Sequence, residues 1–314
     1  MQITTSTMIS FFSKRKIRQL NILLLLWFIA FPFWVEAQSE DPKNTHREPA
    51  FTVDIYGSGP PLYLIPGLAS SGEVWQGTVE QLKNRYECHV FTLAGFAGNE
   101  PIDKKPYLKT IRDKLIEYID RSGRGIVMGH SLGGFLSLWI TAENESLVEK
   151  AVVVDSYPFL AALRQPKVTE ETVQFPRQMM IQQMTAMDFS QFRQQQKHTL
   201  STMITAEKDL KKALQWSMRS DRATIVHAMG DLMQTDLRDD ISTIEIPTYI
   251  MIAGNISMNG TPLYTKDQVQ QMAEEQYKSL SDKTIEVAEK ARHFIMMDDP
   301  EWFHQTLEQF LDEE

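Results

Sequence analysis

Cysteine is nearly absent from this 314-residue chain: Cys88 stands alone, which excludes an internal disulfide and a cysteine-based zinc site. No cysteine lies near the small-residue motif Val35-Glu36-Ala37, which argues against a lipid-anchored product. Positive charge is also scarce, with 32 Lys and Arg against 41 Asp and Glu and a formal charge of −9. So acidic a chain is a poor partner for nucleic acid or an anionic membrane surface. Internal repeats and low-complexity tracts are missing as well. Only one apolar run is long, Leu20 to Val35, and it falls short of the ~20 residues a spanning helix needs and is interrupted by Pro32.

That run belongs to "KRKIRQLNILLLLWFIAFPFWVEAQSE", in which a basic cluster, an apolar stretch and a small-residue exit follow in the order of a secretory signal peptide. The expectation is cleavage after Ala37 and export to the periplasm or the medium, with an uncleaved membrane anchor as the competing reading. Loss of residues 1–37 removes Lys14, Arg15, Lys16, Arg18 and Glu36, taking the formal charge from −9 to −12.

With hydrophobic residues at 42%, the remaining chain has ample material for a core. After a polar stretch at 38–48 that reads as a linker, "FTVDIY" alternates like a strand, and "LYLIPG", "CHVFTL", "GIVM" and "AVVVD" are short apolar runs of the kind buried on both faces. Helical patterns separate them. In "YLKTIRDKLIEYI", Leu108, Ile111, Leu115, Ile116 and Ile119 share one face at 3.6-residue spacing. Such alternation predicts an α/β fold built on a mostly parallel, doubly wound sheet. From 159 to 235 the strands stop and a helical block rich in Gln, Met, Arg and Lys takes over, before alternation resumes with "IPTYIMIAGN" and ends in "DPEWFHQTLEQFL". The expected organisation is a core at 49–158 and 236–314, interrupted by a helical insertion at 159–235. Eight methionines in the insertion read first as packing filler, and alternatively as an adaptable lining over a cleft.

Chemistry gathers around "GHSLGG". Gly-x-Ser-x-Gly between a strand and a helix is a nucleophile elbow, a sharp turn that exposes the serine at the carboxyl edge of the sheet. Ser131 is therefore the candidate nucleophile, and the N–H of Leu132, opening the helix, is a candidate oxyanion donor. A second donor is expected from "LIPGLASSG", where Gly67 allows a sharp turn that leaves the N–H of Leu68 facing the cleft. His293 follows the last strand and precedes the last helix, which makes it the best base of the seven histidines. His130, the variable residue of the motif, reads as packed or exposed; His46, His89, His198, His227 and His304 fall in the linker, a strand or helices.

"LIPGLASSGEVW", "GHSLGG", "IPTYIMIAG" and "ARHF…DDPEWF" occur in the order and spacing of the α/β-hydrolase fold superfamily, which the chain resembles from about Phe51 to Leu311. The resemblance implies Ser131 as nucleophile, His293 as base, Leu68 and Leu132 as oxyanion donors, and the helical block as a cap over the site. It implies no metal and no organic cofactor. With Ser rather than Asp at the nucleophile position, the dehalogenase and epoxide hydrolase branches are disfavoured. The acid departs from the pattern: the usual Gly-x-x-Asp turn is replaced by Gly254-Asn255-Ile256-Ser257. Asp155, at the end of the strand after the nucleophile helix, is the alternative location. Asp298, Asp299 and Asp236 compete for the role, and Asn255 facing His293 would leave the base with an uncharged orienter. The expected activity is hydrolysis of an ester or related acyl bond in a small molecule; carbon–carbon hydrolysis, lyase or perhydrolase chemistry and a weakly catalytic binder are the alternatives.

Overall fold

Alternate residues of each central strand go to opposite sides of the sheet, and both sides are covered. Leu62 and Leu64 enter one apolar cluster while Tyr63 and Ile65 enter the other; Ile126 and Met128 divide from Val127 in the same way, and Tyr249 and Met251 from Ile250 and Ile252. A period-2 strand buried on both faces has no polar phase, which is why these segments read as continuous apolar runs.

The computed structural model describes residues 41–163, 165–258 and 261–313. The expected signal segment and its cleavage point lie outside the described residues. The strands are β1 (Asn44–Glu48), β2 (Phe51–Gly57), β3 (Pro61–Ile65), β4 (Glu87–Leu93), β5 (Gly125–His130), β6 (Val148–Val154), β7 (Thr248–Ala253), the two-residue pair β8 (Ser257–Met258) and β9 (Thr261–Pro262), and β10 (Lys283–Ala288). One eight-stranded sheet runs in the order β1-β2-β4-β3-β5-β6-β7-β10. It is parallel from β4 to β10, and β2 runs antiparallel to both β1 and β4. Within the stretch expected as a linker at 38–48, Asn44–Glu48 corrects the expectation: these five mostly exposed residues pair along β2 as the sheet's edge strand.

Helices α2 (Tyr107–Ser122), α3 (Leu132–Glu143) and α8 (Lys266–Gln276) cover one face. The other is covered by α1 (Gln76–Leu82) and, at the end of the chain, α10 (Pro300–Asp312), which follows the single turn α9 (Ile295–Asp298). The face of α2 expected from spacing is buried at Leu108, Ile111, Leu115 and Ile119. Between β6 and β7 the chain leaves the sheet to form α4 (Glu170–Ala186), α5 (Phe189–Met203), α6 (Glu207–Arg219) and α7 (Arg222–Gln234). The starts of α4, α5 and α7 are set by side-chain caps from Thr169, Asp188 and Asp221.

Strand order also fixes where a ligand can sit. From β3 the chain crosses to β4 on one side, and β5 returns to the other side of β3. The loops leaving β3 and β5 therefore diverge, and the crevice between them lies at the carboxyl ends of the strands, where open α/β sheets place their sites.

Candidate active site

Four strand ends deliver the site. Ser131 follows β5 and opens α3 with φ 54° and ψ −119°, a conformation that a non-glycine residue holds only when its surroundings force it. Its N–H donates to Val154 O at 2.8 Å and its carbonyl accepts from Phe135 N–H at 3.0 Å. The glycines of the motif make the turn sterically possible. A Cβ on Gly129 would lie 2.0 Å from Gly133 O, and one on Gly133 would lie 2.1 Å from Ile65 O. Strand and helix backbones touch at these points, so no side chain fits.

Register then brings in the carboxylate. His130 pairs with Val154 across β5 and β6, so the residues that follow, Ser131 and Asp155, emerge side by side. Asp155 also has a positive φ, 45°. Its N–H donates to Met251 O at 2.7 Å, and its Oδ1 accepts from Ala253 N–H at 2.8 Å. The other oxygen, Oδ2, lies 2.5 Å from His293 Nδ1. His293 comes from the loop after β10, next to β7, and its ring and Ser131 line the same cavity. No hydrogen bond joins Ser131 Oγ to His293 among the described residues, and catalytic hydrogen bonds are often long or poorly aligned before substrate binds. Four non-glycine residues have positive φ among the described residues, and three of them, Ala69, Ser131 and Asp155, line this cavity. Backbone strain concentrated at one crevice is a mark of a functional site.

The loop after β3 closes the crevice from the opposite side. Gly67 O accepts from Ser70 N–H at 3.2 Å, forming a tight turn with Ala69 at φ 55°. The amides of Leu68 and Leu132, both predicted as oxyanion donors, donate to no other described residue. Two free N–H groups flanking a strained serine are what a developing oxyanion needs.

His130 is fully buried, and its Nε2–H donates to the backbone carbonyl of His293 at 3.0 Å. Its ring lies 4.7 Å from that of His293, and Nδ1 has no partner among the described residues. Burial first, and the neighbouring His293 second, hold its pKa well below the ordinary 6.5. It is a packed histidine, as expected, with the added role of fixing the backbone of His293. The competing carboxylates are occupied elsewhere. Asp298 accepts from Thr205 and Arg292, Asp299 caps α10, and Asp236 pairs with Arg238. Asn255 turns away to Lys290 O at 3.2 Å.

The cavity over Ser131 measures about 630 Å³, within the range that suits a small organic ligand. Three cap helices wall it with helically spaced stripes: Met180, Gln183 and Met184 of α4, followed by Met187 just past its end, Gln196, Thr199, Leu200 and Met203 of α5, and Ile225, Met229 and Leu232 of α7. Five of the eight cap methionines thus line the cavity, and Met184, Met187 and Met203 also pack against the apolar clusters, so for these the lining role adds to the packing one. The i, i+4, i+7 spacing of Met180, Met184 and Met187 was the signal in the sequence. Ser156, Tyr157 and Phe294 also face the cavity, and no motif singled them out. Among the described residues, no group of three His, Cys, Asp or Glu side chains is placed to hold a metal ion.

A strained serine on a strand–helix elbow, a histidine paired with a carboxylate, and a helical cap inserted after β6 define the α/β-hydrolase class. The sequence profile of the alpha/beta hydrolase family matches residues 62–306, and the chain belongs to that family; it is an enzyme of the carboxylic ester hydrolase type. It is similar to the pimeloyl-[acyl-carrier protein] methyl ester esterase of Aeromonas hydrophila, 25% identical over 274 residues that cover 83% of this chain and 98% of the relative. In fold it resembles a hydrolase from Pseudomonas aeruginosa, with TM-score 0.71, 16% identity and coverage of 86% of this chain and 99% of that one. An esterase from Exiguobacterium antarcticum gives TM-score 0.69 at 17% identity, covering 84% and 96%.

Proposed function

We propose that the protein hydrolyses a carboxylic ester with a largely apolar acyl group through an acyl-enzyme. Ser131 Oγ attacks the carbonyl carbon, His293 Nε2 takes its proton and passes it to the departing alcohol, and a water then releases the acid by the same path in reverse. Asp155 holds the imidazole with Nδ1–H facing the carboxylate and stabilises the imidazolium. The amides of Leu68 and Leu132 hold the oxyanion. The observation that carries the reading is the 2.5 Å contact between Asp155 and His293 beside the strained Ser131. The similarity to the Aeromonas hydrophila methyl ester esterase over nearly its whole length supports an ester as substrate, and the methionine-lined cavity supports a small-molecule acyl group.

Short-chain p-nitrophenyl esters and a fluorophosphonate probe test this. Ser131→Ala is expected to abolish both hydrolysis and labelling, and Asp155→Asn to lower kcat by about 10⁴, the loss seen when the carboxylate of a serine-protease triad becomes an amide. Hydrolysis that survives Ser131→Ala would sink the proposal. Export is a further part of the reading, supported by the basic, apolar and small-residue sequence that ends at Ala37. Mass analysis of the purified natural protein should find Gln38 at its amino terminus; an intact Met1 or Gln2 terminus on soluble protein contradicts export by cleavage.

A further inference from the structure

The two residues that flank His293 both reach the cap. Phe294 N–H donates to Met203 O at 3.3 Å, and Arg292 Nη1 donates to Ser201 O at 2.9 Å and Ile204 O at 3.2 Å. These carbonyls sit at the carboxyl end of α5, where they lack partners within the helix and where a cation is favoured. Asp298, at the end of α9, completes the connection from the other side. Its Oδ1 accepts from Thr205 N–H at 2.8 Å; its Oδ2 accepts from Thr205 Oγ–H and from Arg292 N–H, both at 2.9 Å. One carboxylate therefore holds the α5–α6 corner of the cap and the residue preceding His293 at once. Charge-assisted bonds of this kind are directional and strong. The same α5 walls the cavity with Gln196, Thr199, Leu200 and Met203.

We propose that Asp298 is a positioning residue: through Thr205 and Arg292 it ties the cap's α5–α6 corner to the His293 loop, so that an acyl chain seated against α5 sets the base toward Ser131. This rests on the serine-hydrolase reading. It assigns the cap a part in catalysis beyond enclosing the substrate. Because misplacing a catalytic group by about 1 Å costs up to ~10²-fold, a loosened tie is read in kcat rather than in KM.

The test compares wild type with Asp298→Asn, Asp298→Glu and the charge-neutral Thr205→Val on p-nitrophenyl acetate and hexanoate, with rates normalised to titrated active sites. Asp298→Asn is expected to lower kcat on the hexanoate about tenfold with KM within about twofold, and to lower it less on the acetate, which is too short to bear on α5. The hexanoate-to-acetate ratio of kcat then falls about threefold. Thr205→Val moves the ratio in the same direction, and Asp298→Glu restores part of it. Amide hydrogen exchange at Ile204 and Phe294, whose N–H groups donate to Leu200 O and Met203 O and not to the Asp298 carboxylate, is expected to quicken together in Asp298→Asn. An equal loss on both esters, or none, overturns the proposal, because a carboxylate that merely supports the fold would not distinguish acyl length. If wild-type hydrolysis proves independent of Ser131, the functional reading fails instead. The exchange result alone then decides whether Asp298 couples the corner to the loop: unchanged exchange at Ile204 and Phe294 would refute it.

Discussion

Asp155, one place past the end of β6, and His130, the last residue of β5, show two ways a residue at a strand end can hold the same histidine. Asp155 meets His293 through its side chain, and both of its oxygens are used, one on Ala253 N–H and one on the imidazole. His130 meets His293 through the backbone, and its burial has a consequence for stability. Because the folded state keeps His130 neutral, with a pKa below the ordinary 6.5, the unfolded chain takes up a proton that the folded chain refuses as pH falls through that value. Stability should therefore be full above pH ~6.5 and decline below it, by up to about 1.4 kcal/mol per pH unit for this one group. His89, His227 and His304 are shifted in the same direction and add to the slope. Urea unfolding of wild type and His130→Gln between about pH 5 and pH 7 isolates the His130 share, since the variant cannot gain that proton. Parallel curves would show that His130 is not the neutral group the structure makes it. Asp155 was readable in the sequence because "AVVVD" ends the strand that follows the nucleophile helix, the alternative place for the acid that the family resemblance implies, whereas the turn "AGNIS" holds no carboxylate. The backbone role of His130 was not readable, because it depends on a carbonyl 163 residues away in sequence.

At the scale of elements, what could be read followed from burial. The strands β3, β5, β6 and β7 are apolar because helices cover both faces of the sheet, so their sequences announce them without reference to partners. β1 has no such signature. "NTHRE" is polar throughout and nearly all exposed, and only its pairing from Asn44 opposite Ile55 to Glu48 opposite Phe51 makes it a strand. Tertiary pairing of this kind overrides local preference, and composition reads it as linker. Ahead of α1 the chain does not turn directly into an α-helix: "GEVW" forms a 3₁₀ turn, with Ser71 accepting from Glu73 N–H, before α1 begins at Gln76. The cap helices were visible as helices, yet the direction of their stripes depended on where the elbow lay beneath them. The ties from Arg292 and Asp298 to the α5–α6 corner were invisible for the same reason. Each joins segments some 90 residues apart, and in sequence Asp298 looks like one more acid before a helix.

At the scale of the whole molecule, the insertion after β6 converts an open crevice into a chamber, and under the proposed ester hydrolysis its walls would decide which acyl groups are accepted. Its lining from α4 and α7 is dominated by methionine, leucine and isoleucine, flexible or apolar side chains that can settle around an alkyl chain without leaving a polar group unpaired. Each methylene moved from water into such a wall contributes up to about 0.8 kcal/mol, or roughly a fourfold gain in kcat/KM, until the chamber is full. A series of p-nitrophenyl esters from acetate upward should therefore rise in kcat/KM and then break at the length that fills the chamber. Met229, half-buried in the middle of the α7 stripe between Ile225 and Leu232, is the residue expected to set that length if the proposed function holds. Met229→Ala should shift the break to a longer acyl chain and Met229→Trp to a shorter one, with kcat/KM on the acetate within about threefold of wild type in both, because an acetyl group does not extend to α7. A profile that is flat from acetate onward, or a break that stays in place in both variants, would mean that the acyl group does not lie in the chamber under the cap, and that the substrate approaches Ser131 from another side.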